Sequence, residues 1–259
     1  MNKTLFWKQF LIFALAFFLV LYLRSFIASE LIEHKITSYK AHTLLGLVIN
    51  ALLIALSYFF IRKNQLEKLA GLKDLKAKKK YLLIFPVVYL ILLNVLISDD
   101  IDLDKFVPNL LLFTIYALSI GFAEELSIRG FIQSLMIRFF GKNKKGVVFS
   151  VLASALFFGL IHILKFDKGL YGELSQVFFA TFIGLMFGFL LLIVKRIYPL
   201  IIAHALIDFV AKLDRVGWPI EEQSTEAMSF ENAVIIVLLV LPCLIYGIFL
   251  AKKYPLVKH

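Results

Sequence analysis

The segment Leu174–Val194 reads LSQVFFATFIGLMFGFLLLIV, twenty-one consecutive residues without one charged side chain. As an α-helix it rises about 32 Å, close to the roughly 30 Å hydrocarbon thickness of a bilayer. A run this apolar has no soluble face to present, so it reads as a membrane-spanning helix. Seven other stretches have the same character: 5–23, 43–61, 81–97, 106–124, 147–164, 197–212 and 233–250. Over the 259 residues, 61% are hydrophobic and 18% charged, too few charges to cover a soluble surface. Lys3 and Lys8 ahead of the first stretch resemble a signal peptide, but that stretch is long and lacks a small-residue cleavage site. Cys243 stands alone in an apolar run, which excludes an intrachain disulfide framework. The expectation is an all-α fold. It is a polytopic membrane helix bundle of about eight transmembrane helices, a single transmembrane domain over 1–259 with a motif-bearing catalytic core at 106–212.

Charge sets the orientation. The net charge of +10 suggests nucleic acid in a soluble protein, but here it is read loop by loop. With the N-terminus inside, the cytoplasmic segments hold Lys3, Lys8, the eight basic residues of 62–80, Lys142, Lys144, Lys145, Lys195, Arg196, Lys252, Lys253 and Lys258. The external segments hold Arg24, Lys35, Lys40, Lys105, Lys165, Lys168, Lys212 and Arg215. That bias places both termini in the cytoplasm. The basic run Lys73–Lys80 reads first as the loop that fixes orientation, and second as a contact for anionic lipid. Nothing indicates a nucleic-acid module. Gly184 and Gly188 form a small-xxx-small pair that lets a neighbouring helix approach closely.

The acidic residues avoid the spans. Two, Glu67 and Asp74, fall in cytoplasmic loops, thirteen in external ones, and three remain within or at the ends of apolar segments: Glu124, Glu125 and Asp208. Of the histidines only His162 and His204 lie inside apolar runs. An ionisable group in hydrocarbon costs about 2.5–3.5 kcal/mol on the lenient insertion scale. Five such groups make sense if they converge on one polar cavity.

Spacing supports convergence. Glu125 and Arg129 stand at i and i+4 and form an orienting ion pair. Glu124 is rotated about 100° from Glu125, so its carboxylate has no partner in its own helix. Phe158 and His162 share a face, with Gly159 allowing close approach, and His204 and Asp208 repeat the same spacing. Counted from the span ends, His204 lies about 10 Å beyond Ile197 and His162 about 22 Å beyond Val147. They meet only if the fifth span starts well into the cytoplasm or tilts.

These groups permit water activation. A buried Glu takes a proton from water and returns it to a leaving amine, a neighbouring His polarises that water, and a second His stabilises the oxyanion. Glu124, His162 and His204 would equally serve as Zn²⁺ ligands, since a His₂Glu set with one open position is a catalytic arrangement. Spacing does not separate the two. Other readings are a proton-relay transporter using Glu124 and Asp208, and a catalytically silent scaffold or immunity factor.

At these residues the chain resembles the CPBP (Abi) family of CAAX-processing and bacteriocin-processing intramembrane proteases. That family carries EExxxR, FxxxH and HxxxN/D on separate transmembrane helices. Here they are Glu124-Glu125…Arg129, Phe158…His162 and His204…Asp208. The resemblance covers roughly Phe113 to Phe209. It implies an eight-helix intramembrane protease, with Glu124 as base, His162 its partner on the water, and His204 with residue 208 stabilising the oxyanion. Glu125, Arg129 and Phe158 are supporting residues. Family members are often called metalloproteases; glutamate-activated water without metal is the competing view. Asp208 stands where Asn is common, and an ionised Asp cannot donate to an oxyanion. The partners implied are membrane lipid and a peptide or protein substrate. In a bacterial plasma membrane the substrates would be leader peptides, bacteriocin precursors or peptide signals.

Overall fold

The computed structural model describes residues 2–73, 76–164, 169–223 and 227–254. Asp74, Lys165, Lys168, Glu226 and Lys258 of the charge pattern lie outside the described residues. Every regular element within them is helical: α1 (Lys3–Glu33), α2 (Tyr39–Lys63), α3 (Ile84–Ile97, entered by the 3₁₀ turn Lys80–Leu83) and α4 (Leu103–Glu125). A π-helical segment, Leu126–Gln133, joins α4 to α5 (Ser134–Phe140). Then come α6 (Lys144–Leu160, followed by the 3₁₀ turn Ile161–Leu164), α7 (Gly169–Val194), α8 (Tyr198–Val210) and α9 (Phe230–Lys253). Among the described residues seven helices are long and apolar enough to cross a membrane, one of them the continuous run Leu103–Phe140, and α8 is a shorter apolar helix. The chain is a multi-pass helical membrane protein.

The helices outrun the apolar stretches because no Gly or Pro interrupts the flanking sequence. α1 continues ten residues beyond the expected end at Leu23 and stops at Glu33, where Lys35 turns left-handed at φ 59°. Side-chain caps set several starts: Ser38 accepts from Ala41 N, Asp102 from Asp104 N and Lys105 N, Asn143 from Gly146 N. Lys105 also holds the half-buried Asp102 carboxyl below its ordinary range through a 2.6 Å ion pair. Glu173, expected in the external loop, is buried in the second turn of α7.

α7 is the central helix, with about two-thirds of its apolar window buried. It packs on α6 and α9, while α4 packs on α2 and α8 and α3 on α8. Glycines set the α6–α7 crossing as expected. A Cβ on Gly184 would meet Ala155 Cα at 3.2 Å, one on Gly188 would meet Val151 Cγ1 at 2.6 Å, and one on Gly159 would run into Thr181 Oγ1. Phenylalanines fasten α1 to the segment after α4: Phe6 stacks on Phe139 at 4.5 Å and Phe13 meets Phe131 at 4.2 Å.

The start of α8 is anchored inside the protein. Ile197 donates its N–H to Gly71 O and is fully buried; a Cβ on Gly130 would lie 3.6 Å from Ile197 Cδ1. α8 therefore begins beside the π-helical segment and against the loop that follows α2. Its thirteen residues need not cross a bilayer. They need only carry His204 to α4.

Candidate active site

α4 and α8 cross at Gly121, where a Cβ would stand 2.7 Å from Ile201 O and 3.2 Å from Ala205 Cβ. No larger residue fits. One turn on, the close crossing brings the two carboxylates of α4 onto the imidazole of α8. His204 Nδ1 lies 2.8 Å from Glu125 Oε1, and Nε2 lies 3.3 Å from Glu124 Oε2. Two carboxylate acceptors on one ring require a proton on each nitrogen, or one carboxyl protonated. Glu124, without a partner in its own helix, thus finds one across the helix interface.

Glu125 also accepts from Arg129 Nη1 at 2.9 Å, and both side chains are fully buried. The helix is widened here to π geometry, an irregularity frequent at functional sites. Ser134 Oγ reaches back five residues to donate to Arg129 O at 3.0 Å. The guanidinium lies over the rings of Phe158 at 4.7 Å and Phe187 at 5.6 Å, which stabilise a cation by their π faces where water is absent. Glu125 Oε2 and Arg129 Nε and Nη2 have no hydrogen-bond partner among the described residues. The pair is held by its mutual hydrogen bond, by the His204 contact to Glu125 and by two rings over the guanidinium.

His162 closes α6. Its Nδ1 is 2.8 Å from Phe158 O, and the two rings meet edge to face at 5.0 Å. A carbonyl only accepts, so Nδ1 donates, and the neutral ring keeps Nε2 as its acceptor. His162 acts electrostatically on Glu124. Phe158 accordingly has three contacts: its ring carries Arg129, its edge meets His162, and its carbonyl fixes the imidazole tautomer.

Asp208, expected beside the oxyanion, accepts from Lys212 Nζ at 3.0 Å and stands 3.9 Å from His204 Nε2. Lys212, assigned to an external loop, is a site residue by position, and the signal was present. His204, Asp208 and Lys212 repeat at i+4, although α8 ends at Val210 and Lys212 lies in the turn beyond it. Phe187, edge-on to His204 at 5.8 Å as well as facing Arg129, had no such signal within an apolar helix.

A metal cage is a poor match to these side chains. His204 turns one nitrogen to each glutamate, and no group of three His, Cys, Asp or Glu side chains among the described residues is arranged to hold a metal ion. Glu124, His162 and His204 are neighbours, but as arranged they are not a Zn²⁺ ligand set.

No curated protein and no solved structure matches the chain. A family model does: residues 106–210 match Rce1-like, described as type II CAAX prenyl endopeptidase Rce1-like. The matched segment contains Glu124, Glu125, Arg129, Phe158, His162, His204 and Asp208. Over that segment the chain is similar to the type II CAAX prenyl endopeptidases.

Proposed function

We propose that this protein is an intramembrane endopeptidase that hydrolyses a peptide bond of a membrane-associated peptide or protein with protein groups alone. Glu124 takes a proton from a water placed between its carboxylate and His162 Nε2, and the hydroxide adds to the scissile carbonyl. His204 swings its Nε2–H from Glu124 to the oxyanion, while Glu125 keeps hold of Nδ1. Glu124 then returns its proton to the leaving amine. Arg129 and Phe158 hold Glu125 and His162 in place. Asp208 makes no donor in this scheme; with Lys212 it sets the charge beside His204.

One observation carries this reading. Three helices bring one half-exposed carboxylate and two imidazoles to a single spot inside the segment that matches a protease family. The test is cleavage of a leader peptide and a prenylated C-terminal peptide by the purified protein in detergent, with products mapped by mass. Site-specific products from the wild type, lost in Glu124→Ala, are expected. Equal cleavage by both proteins, or none by a folded wild type on either peptide class alongside Glu124-dependent proton uptake, would overturn it.

A further inference from the structure

At the cytoplasmic end indicated by the charge bias, the loop before α3 is stitched to the loop before α8. Lys78 N donates to Val194 O at 2.9 Å, and Arg196 Nη1 reaches Leu72 O at 3.4 Å. Between them opens a cleft of about 540 Å³ lined by Lys76, Ala77, Lys80, Arg196, Tyr198 and Pro199. Among the described residues, no carboxylate lines it. Among the described residues of this loop, Glu67 is paired with Arg62 at 3.5 Å. The start of α8 and the turn that leads into α3 both border the cleft, adding the positive ends of two helices. In the loop before α8, burial and the neighbouring Lys78 push the Lys195 ammonium below its ordinary range.

The surroundings name the ligand. Beside Lys80 the side chains of Tyr81, Ile84 and Val88 are exposed on α3, and Tyr198 and Ile202 on α8. A phosphate in the cleft would have apolar surface leading away along two membrane helices, which suits acyl chains and does nothing for a soluble anion. We propose that this cleft binds the headgroup of an anionic phospholipid, with Lys76, Lys80 and Arg196 as the phosphate contacts and Tyr198 at the interface. Bound there, the lipid ties α3 to the first turn of α8, the helix that carries His204.

The test is a thermal-unfolding titration in detergent with phosphatidylglycerol, phosphatidylcholine or inorganic phosphate. Phosphatidylglycerol alone should raise the Tm. In Lys76→Gln/Lys80→Gln, exposed positions whose unliganded Tm should not change, the apparent affinity should fall about twentyfold. Lys142→Gln/Lys145→Gln, which removes the same charge from another cytoplasmic loop, should titrate as wild type, and Arg196→Lys should keep the response. Three results would each overturn the proposal: an unchanged titration in Lys76→Gln/Lys80→Gln, an equal loss in the control pair, or the full effect from inorganic phosphate or phosphatidylcholine.

Discussion

The cluster around His204 has two halves, and they differ in access to water. On the Nδ1 side, Glu125 and Arg129 are 0% and 1% exposed and closed in by Phe158 and Phe187. On the Nε2 side, Glu124 is 34% exposed, Asp208 20% and Lys212 39%. The same residue types thus sit in two settings one helix turn apart. A buried ion pair is costly to assemble and contributes little net stability, but it fixes geometry because breaking it is worse. A half-exposed carboxylate keeps little fixed geometry of its own and meets water. The difference teaches a division of labour. The dry side holds the imidazole still, and the open side is where a proton can move.

The largest effect should come from the open side. Glu124→Gln keeps the size and an acceptor but removes the base, so turnover should fall about 10²–10⁴-fold with the Tm nearly unchanged. Peptide cleavage and detergent melting, measured on one preparation, separate the two. Loss of fold would move Glu124 to the dry side of the comparison. Next in size is Arg129→Met on that dry side. It strands the Glu125 charge among apolar side chains and should destabilise by about 3–5 kcal/mol. Glu125→Gln/Arg129→Met should recover much of this, because it removes both charges. A single variant that melts like the wild type yet does not cleave would make Arg129 part of the chemistry. Phe158→Leu should be milder, about 0.5–2 kcal/mol, since the Arg129 stack is lost while the backbone carbonyl still fixes His162. An unchanged melt would mean that Phe187 alone suffices for the cation.

The contrast between the halves was only partly legible in the sequence. Long apolar runs and sparse charge fixed the helical membrane class, because nothing else satisfies backbone polar groups in lipid. Spacing was enough to pair Glu125 with Arg129, since i and i+4 meet on a helix whatever surrounds it. What joins Glu124 and Glu125 to His204 is a crossing at Gly121, and a lone glycine in an apolar run looks the same whether it packs a helix or does nothing. The π widening after Glu125 left no local trace either, because LSIRGFIQ has no proline or glycine pair to announce it. Lys212 was readable by its register with Asp208. It was missed because it closes the run 197–212, where a charged residue reads as the start of the external loop.

The smallest expected effect concerns that pair. Asp208 and Lys212 are both partly exposed, and exposed ion pairs contribute about 0.2–1 kcal/mol. Asp208→Asn should therefore change the Tm little. Its effect on turnover is informative because the two possible roles predict opposite signs. As a charge beside His204, Asp208 would be missed, and activity should drop a few-fold. As a substitute for an amide donor it is a handicap, and Asn, able to donate to the oxyanion, should raise activity. With Lys212 Nζ 3.0 Å away, the carboxylate is fixed as an acceptor, so the first outcome is expected. Lys212→Gln should then reproduce part of the loss, and Asp208→Asn/Lys212→Gln should be no worse than Asp208→Asn alone, the non-additivity of two groups that act through one contact. Full additivity in kcat would separate the two residues, leaving Lys212 with its own line to the reacting atoms and widening the open half by one group.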